Sequence, residues 1–181
     1  MGERLYLRPI RTNDVQGPYW QWLNDQTVTR YLESGVSPAT KSGLKKYVER
    51  VSNDASYIML AIIEKQRNAH IGNVKLGPIE TTARRADVGI LIGDRSCWGR
   101  GFAREALRLV VEHAFNRLNL NKITLGVHAD HRQAIRVYHS LGFVIEGRLR
   151  RHLYRNGRYR DSFVMGLLHS DYKRARRGTD S

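Results

Sequence analysis

A single cysteine, Cys97, stands in the 181 residues. One thiol can neither close an internal disulfide nor supply a cysteine-based zinc cluster, which suits a reducing cytoplasm. Acidic residues are scarce as well: 17 Asp and Glu face 31 Lys and Arg, a formal net charge of +14. Such an excess favours a polyanionic ligand, nucleic acid or an anionic surface, and it equally serves solubility. No apolar run approaches the about 18 residues needed to span a bilayer. The N-terminal stretch MGERLYLRPIRTND alternates charged with apolar residues and has no signal-peptide core. The expectation is a soluble, cytoplasmic protein without a membrane partner. Internal repeats and linkers are also missing, and 181 residues suit one compact domain better than two.

What is present alternates between strand and helix periodicity. Leu5, Leu7 and Ile10 sit near strand spacing, and RTND offers cap residues before an aromatic-rich helix over about 15 to 23. Ser37 and Thr40 are both candidate caps for a short helix in SPATKSGLKKYVERV. SYIMLAIIEK and HIGNVKLGPI, separated by a polar turn, predict an antiparallel pair. ADVGILIGD predicts a strand that runs into SCWGRGFAREAL. From there Phe102, Ala106, Val110, Ala114 and Leu118 fall on one helical face, with Arg104, Arg108 and Glu112 on another. KITLGVHAD is a further strand, followed by a short helix with Gly142 as its cap. Asn156-Gly157 between two strand-like runs is a hairpin signal. Residues 171–181 lose the apolar pattern and predict a basic, flexible tail behind a domain of residues 1–170.

Two glycines one residue apart, Gly99 and Gly101, open the helix that follows ADVGILIGD. Glycine costs a helix roughly 0.5–1 kcal/mol relative to alanine, so a ligand that must touch backbone explains the pair better than a plain turn. A helix start exposes unpaired amides and the positive end of the macrodipole, where phosphate oxygens bind. The pattern G-x-x-x-x-G-K-[ST] is absent, against a nucleotide triphosphatase. G-x-G-x-x-G fails at Arg104, and no acidic residue ends a strand about twenty residues later, against a dinucleotide site.

WGRGFA, an amphipathic helix, a strand and HADHRQAIRVYHSLGFVIEG together resemble the GNAT superfamily of acyl-CoA-dependent N-acyltransferases. LYLRPIRTNDV, WLNDQTVTRYLE and HIGNVKL are similar to its branch of ribosomal-protein N-terminal, polyamine and nucleotide-amino-sugar acetyltransferases. The resemblance implies an α/β (α+β) fold, with a mixed, mostly antiparallel sheet flanked by helices, splayed fourth and fifth strands and a C-terminal hairpin. It implies that Trp98, Gly99, Arg100, Gly101, Phe102 and Ala103 hold the pyrophosphate of acetyl-CoA. Leu91, Ile92 and Gly93 are expected to hold the pantetheine arm and thioester carbonyl. His131, where the family pattern has Asn, contributes to coenzyme binding. Tyr138 takes the place of the acid that protonates the leaving sulfur, and a phenol near pKa 10 can serve a thiol near 8.5.

Imidazole has the right pKa to accept a proton near neutrality, and His128 is the candidate base within a cluster with Asp130 and His131. No third ligand completes a metal site there. The resemblance implies direct transfer, not an acyl-Cys97 intermediate. The acceptor is expected to be a primary amine, a protein N-terminus or an amino-sugar nucleotide, since the basic charge speaks against a polycation. RLRRHLYRNGRYR could hold a pyrophosphate and stack a base. The alternative is an RNA- or ribosome-binding module on an inactive acetyltransferase fold, in which that stretch contacts RNA. Ribosome association and a dimer stay open.

Overall fold

The computed structural model describes residues 2–32, 37–155 and 157–177. Seven strands form a mixed sheet: β1 (Leu5–Pro9), β2 (Ile58–Glu64), β3 (Ala69–Glu80), β4 (Arg85–Ile92), β5 (Lys122–His128), β6 (Val144–Arg155) and β7 (Arg158–Leu168). Their order is β1-β2-β3-β4-β5-β7-β6. The helices are α1 (Pro18–Asn24), α2 (Lys41–Asn53), α3 (Phe102–Asn116), α4 (Arg132–His139) and α5 (His169–Arg177). β4 and β5 run parallel, which requires a crossover connection, and α3 lies between them in the chain. The β1–β2, β2–β3, β5–β7 and β6–β7 pairs are antiparallel. The chain divides into two compact units, Met1–Pro78 with Gly89–Leu109 and Ile79–Val88 with Val110–Ser181.

In the first unit the aromatic-rich helix expected over about 15 to 23 is split. A 3-10 turn covers Thr12–Gln16, and α1 starts at Pro18. Proline forces the residue before it towards extended backbone, and Gly17 is extended. Asp14 pins the turn, accepting from the Arg11 amide at 2.7 Å and from both Arg8 guanidinium nitrogens at 2.8 and 2.6 Å. Thr40 is the cap of α2, its hydroxyl accepting from the Gly43 amide at 3.1 Å. Leu44, Val48 and Val51 then fall on one buried face of α2. Ile10, Val15, Tyr19, Trp22, Val28, Leu44 and Val48 make one core cluster.

In the second unit β4 and β5 pair only over Arg85–Asp87 and Lys122–Thr124, although both strands run further. Thr124 bonds to Asp87 across that short ladder. α4 ends at a Ser140 cap, and Gly142, two residues later, takes the positive φ of 93° that turns the chain. The Phe143 amide reaches back to the Tyr138 carbonyl at 3.1 Å. β6 and β7 form the expected hairpin, with register shifts at Ile145/Gly147 and Leu149/Leu153. Asn156 of the expected turn lies outside the described residues, as do the last four of the expected tail. His169–Arg177, which has no apolar pattern to announce it, is helical. Its anchor is aromatic: His169 stacks on Phe115 at 5.0 Å and Tyr172 tilts against the same ring at 5.3 Å.

Candidate active site

The glycine loop is built from β4 outward. Asp94 caps the 3-10 turn Arg95–Cys97, accepting from the Ser96 amide at 3.0 Å and its hydroxyl at 2.6 Å. The Trp98 indole N–H then donates to the Ile92 carbonyl at 2.8 Å, folding the loop back on the strand end. Gly99 and Gly101 adopt φ of 71° and 83°, the left-handed region that favours glycine. Nothing lies within 4 Å of a Cβ built on Gly99. α3 starts at Phe102, and the Glu105 amide makes its first bond to the Gly101 carbonyl at 3.1 Å. Among the described residues no backbone bond uses the amides of Gly99, Arg100, Gly101, Phe102 or Ala103. Free amides, glycine backbone with open space beside it and a helix start form a cradle that fits a pyrophosphate.

A tether the sequence did not reveal fixes this cradle. Arg4 donates to the Arg100 carbonyl at 2.8 Å and to Glu105 at 3.0 Å, and the Arg4 amide reaches the same carboxylate at 2.8 Å. Arg4 also lies over the Phe102 ring, 4.8 Å from its centroid. Burial opposes ionisation of Glu105, yet the Arg4 amide and guanidinium and the Leu5 amide outweigh it and hold the carboxyl below its usual range.

The end of β4 is tightly walled. The Gly93 and Asp94 amides both donate to the Ile71 carbonyl, at 2.9 and 3.1 Å. Leu91 and Ile92 end β4 and Gly93 follows, with the Ile92 carbonyl and the Gly93 amide already engaged within the protein. A side chain on Gly93 would collide with the Trp22 indole, and one on Gly72 with the Leu91 carbonyl. Beside Gly93 opens a cavity of about 360 Å³ lined by Pro18, Gln21, Trp22, Asp25, His70, Asp94, Arg95 and Ser96. Thr27 and Val28 amides and Arg95 hold the Asp25 carboxyl below its usual range. At Asp94 burial works the other way, but Ser96 and Arg67 win and the shift is again downward.

Cys97 is buried, and Arg67 donates to its sulfur at 3.1 Å. Burial, with Asp94 close by, still pushes the thiol pKa up, so the thiolate needed for an acyl-cysteine route is scarce at neutral pH.

In the second unit Tyr138 is 9% exposed, edge-on to Phe143 at 6.0 Å, and burial pushes its phenol up to about 12. His128 is buried at the end of β5, its Nδ1 3.9 Å from Asp130, which also lies 3.8 Å from Arg160. His131 precedes α4, and its amide donates to the His128 carbonyl at 2.9 Å. On β6 and β7, Asp161 gathers Arg148 and the Arg151 amide, and Tyr154 and Tyr159 stand exposed with rings 5.0 Å apart. No group of three or more His, Cys, Asp or Glu suited to a metal occurs among the described residues, and no helix there is long and apolar enough to cross a membrane.

Residues 4–144 match the family model described as an acetyltransferase (GNAT) domain. The spermidine N(1)-acetyltransferase of Vibrio cholerae is 36% identical over 172 residues, 95% of this chain and 97% of that protein. An N-acetyltransferase of Bacillus licheniformis, p20, is 32% identical over 94% of this chain and 96% of its own length. A crystal structure of the Vibrio cholerae spermidine N-acetyltransferase in complex with CoA and spermine superposes with a TM-score of 0.86 at 29% identity, covering 94% of this chain and 98% of that one. The names of these relatives give ribosome association no support. Acetyl-CoA is the cosubstrate and the enzyme is an N-acetyltransferase. By its family match and by relatives similar along nearly its whole length, this chain belongs to the GNAT acetyltransferases.

Proposed function

We propose that the enzyme acetylates a primary amine of a polyamine, taken up in the cavity beside Gly93. The observation that carries this reading is the pair of carboxylates lining the cavity beside Trp22: Asp25 and Asp94, each held ionised by its neighbours, with Arg95 3.9 Å from Asp25 and Arg67 3.2 Å from Asp94. Trp22 supplies an apolar wall for methylenes between the cationic nitrogens. Similarity to spermidine acetyltransferases supports the same reading. The net charge of +14 had argued for an anionic acceptor, but that is a property of the whole surface, and a cavity responds to the groups that line it.

The bound cosubstrate supplies an acetyl thioester. The amides of Gly99 to Ala103 bind its pyrophosphate, with Trp98 shaping the loop, and Leu91 to Gly93 orient the arm. His131 lends a coenzyme contact at the start of α4. Tyr138 holds the proton that the leaving sulfur needs, and its raised pKa keeps the phenol protonated throughout the working range. His128 is one candidate for the opposite task of removing a proton from the acceptor.

A second reading keeps an amino-sugar nucleotide as acceptor, favoured by the arginines and the exposed Tyr154–Tyr159 pair of the β6–β7 hairpin. Thiol release from acetyl-CoA, followed with spermidine, a UDP-linked amino sugar and an N-terminal peptide, decides between them. Spermidine is expected to give the highest kcat/KM, falling by about tenfold or more in Asp25→Asn as charge complementarity is lost. Turnover of the sugar nucleotide alone overturns the polyamine assignment.

A further inference from the structure

His70 lies on β3, opposite Ile63 of β2, and lines the cavity beside Gly93. Its Nε2 is 3.0 Å from the Gly72 carbonyl and 2.9 Å from the Asn73 side-chain oxygen. A carbonyl can only accept, so Nε2 carries the hydrogen and the neutral ring keeps its lone pair on Nδ1. Trp22 and Tyr19 clamp the ring in edge contacts at 5.0 and 6.5 Å. Tautomer and orientation are therefore both fixed by neighbours, as in sites where a histidine must present one nitrogen. Within this cavity it is the side chain with a basic lone pair near neutrality; Asp25 and Asp94 are far weaker bases.

We propose that His70 is a catalytic residue, the base whose Nδ1 takes the proton from the acceptor's ammonium group. The inference rests on the reading of this cavity as the acceptor site. The ammonium loses one proton to Nδ1, and the freed nitrogen forms its bond to the acetyl carbon as the carbon–sulfur bond breaks. The departing sulfur is released as the thiol, which balances against the second proton lost by nitrogen. The His70 proton leaves to water through the cavity. Burial lowers the His70 pKa, and it outweighs the Asn73 bond and the charge of Asp14; Arg8 lowers it further. Asp25, Asp94 and Arg95 share the cavity with it. The imidazole is thus unprotonated at neutral pH, and the acid limb of kcat/KM falls below the ordinary histidine value of about 6.5.

The test replaces His70 by glutamine, whose amide can keep the donor towards Gly72 and Asn73 while offering no base. The expected result, with spermidine or the UDP-linked amino sugar as acceptor, is a kcat lower by about 100-fold or more. The acid limb should vanish, and calorimetric affinity for acetyl-CoA should be retained. Retained kcat and limb in His70→Gln, or a limb that vanishes in His128→Gln instead, overturns the proposal. Should the wild type turn over the sugar nucleotide and not spermidine, the polyamine reading fails, and the His70 comparison is made with the sugar nucleotide. Imidazole nitrogen shifts give a readout independent of turnover. An Nε2–H tautomer at pH 7 that shifts on adding spermidine or the UDP-linked amino sugar supports the assignment; an Nδ1–H tautomer or a charged ring overturns it.

Discussion

Single side chains divide into those legible from pattern and those legible only from packing. Tyr138 belongs to the first kind, because the helix that carries it ends in a glycine turn with a recognisable spacing, and the structure adds the burial that keeps its phenol neutral. Tyr138→Phe is expected to lower kcat by about 100-fold, the scale of a lost general acid. Affinity for acetyl-CoA by calorimetry should be little changed, and an unchanged kcat would reduce Tyr138 to a packing residue. His70 belongs to the second kind. Nothing in HIGNVKL marks it, since its neighbours Trp22 and Gly93 lie at distant points of the chain. One signal was available: two glycines, Gly72 and Gly93, in strand-like surroundings, where close backbone approach is a standing reason for glycine.

At the scale of elements, strands and helices with a clear period were readable from the sequence, and those held by remote partners were not. The α3 stripe is where the period places it for Phe102, Ala106, Val110 and Ala114, all buried, whereas Leu118 lies past the helix end at Asn116 and is half-buried. The 3-10 turn before α1 was missed because Pro18 resets the backbone of Gly17, and α5 because its support is two ring contacts to Phe115. The Arg4–Glu105 tether spans 101 positions and has no local signature. Its consequence is measurable. Glu105 has a folded-state pKa below its ordinary 4.5, so its stabilising contribution is present above that value and is lost as pH falls through the folded pKa. Urea unfolding of Glu105→Gln should show a deficit of about 1–3 kcal/mol at pH 7, shrinking on acidification to pH about 3. A deficit independent of pH would mean that packing, not charge, is what the substitution removes.

For the whole molecule, charge is the property with reach. A field from +14 draws a polyanionic cosubstrate towards the protein and repels a polycation, and on the polyamine reading the Asp25 and Asp94 carboxylates act on the acceptor only at short range. Raising ionic strength to about 0.15 M, where the Debye length is about 8 Å, should therefore raise KM for acetyl-CoA several-fold and KM for spermidine much less. Equal increases would assign both ligands to one field. The three tryptophans, Trp20, Trp22 and Trp98, are distributed in a useful way. Trp22 walls the cavity beside Gly93, and Trp98, 40% exposed, is bonded to the Ile92 carbonyl at the root of the glycine loop. With Trp20 replaced by phenylalanine, the protein becomes its own two-channel fluorimeter: one indole reports what enters the cavity, the other what settles on the loop, and the order in which their emission changes is the order in which the two substrates arrive.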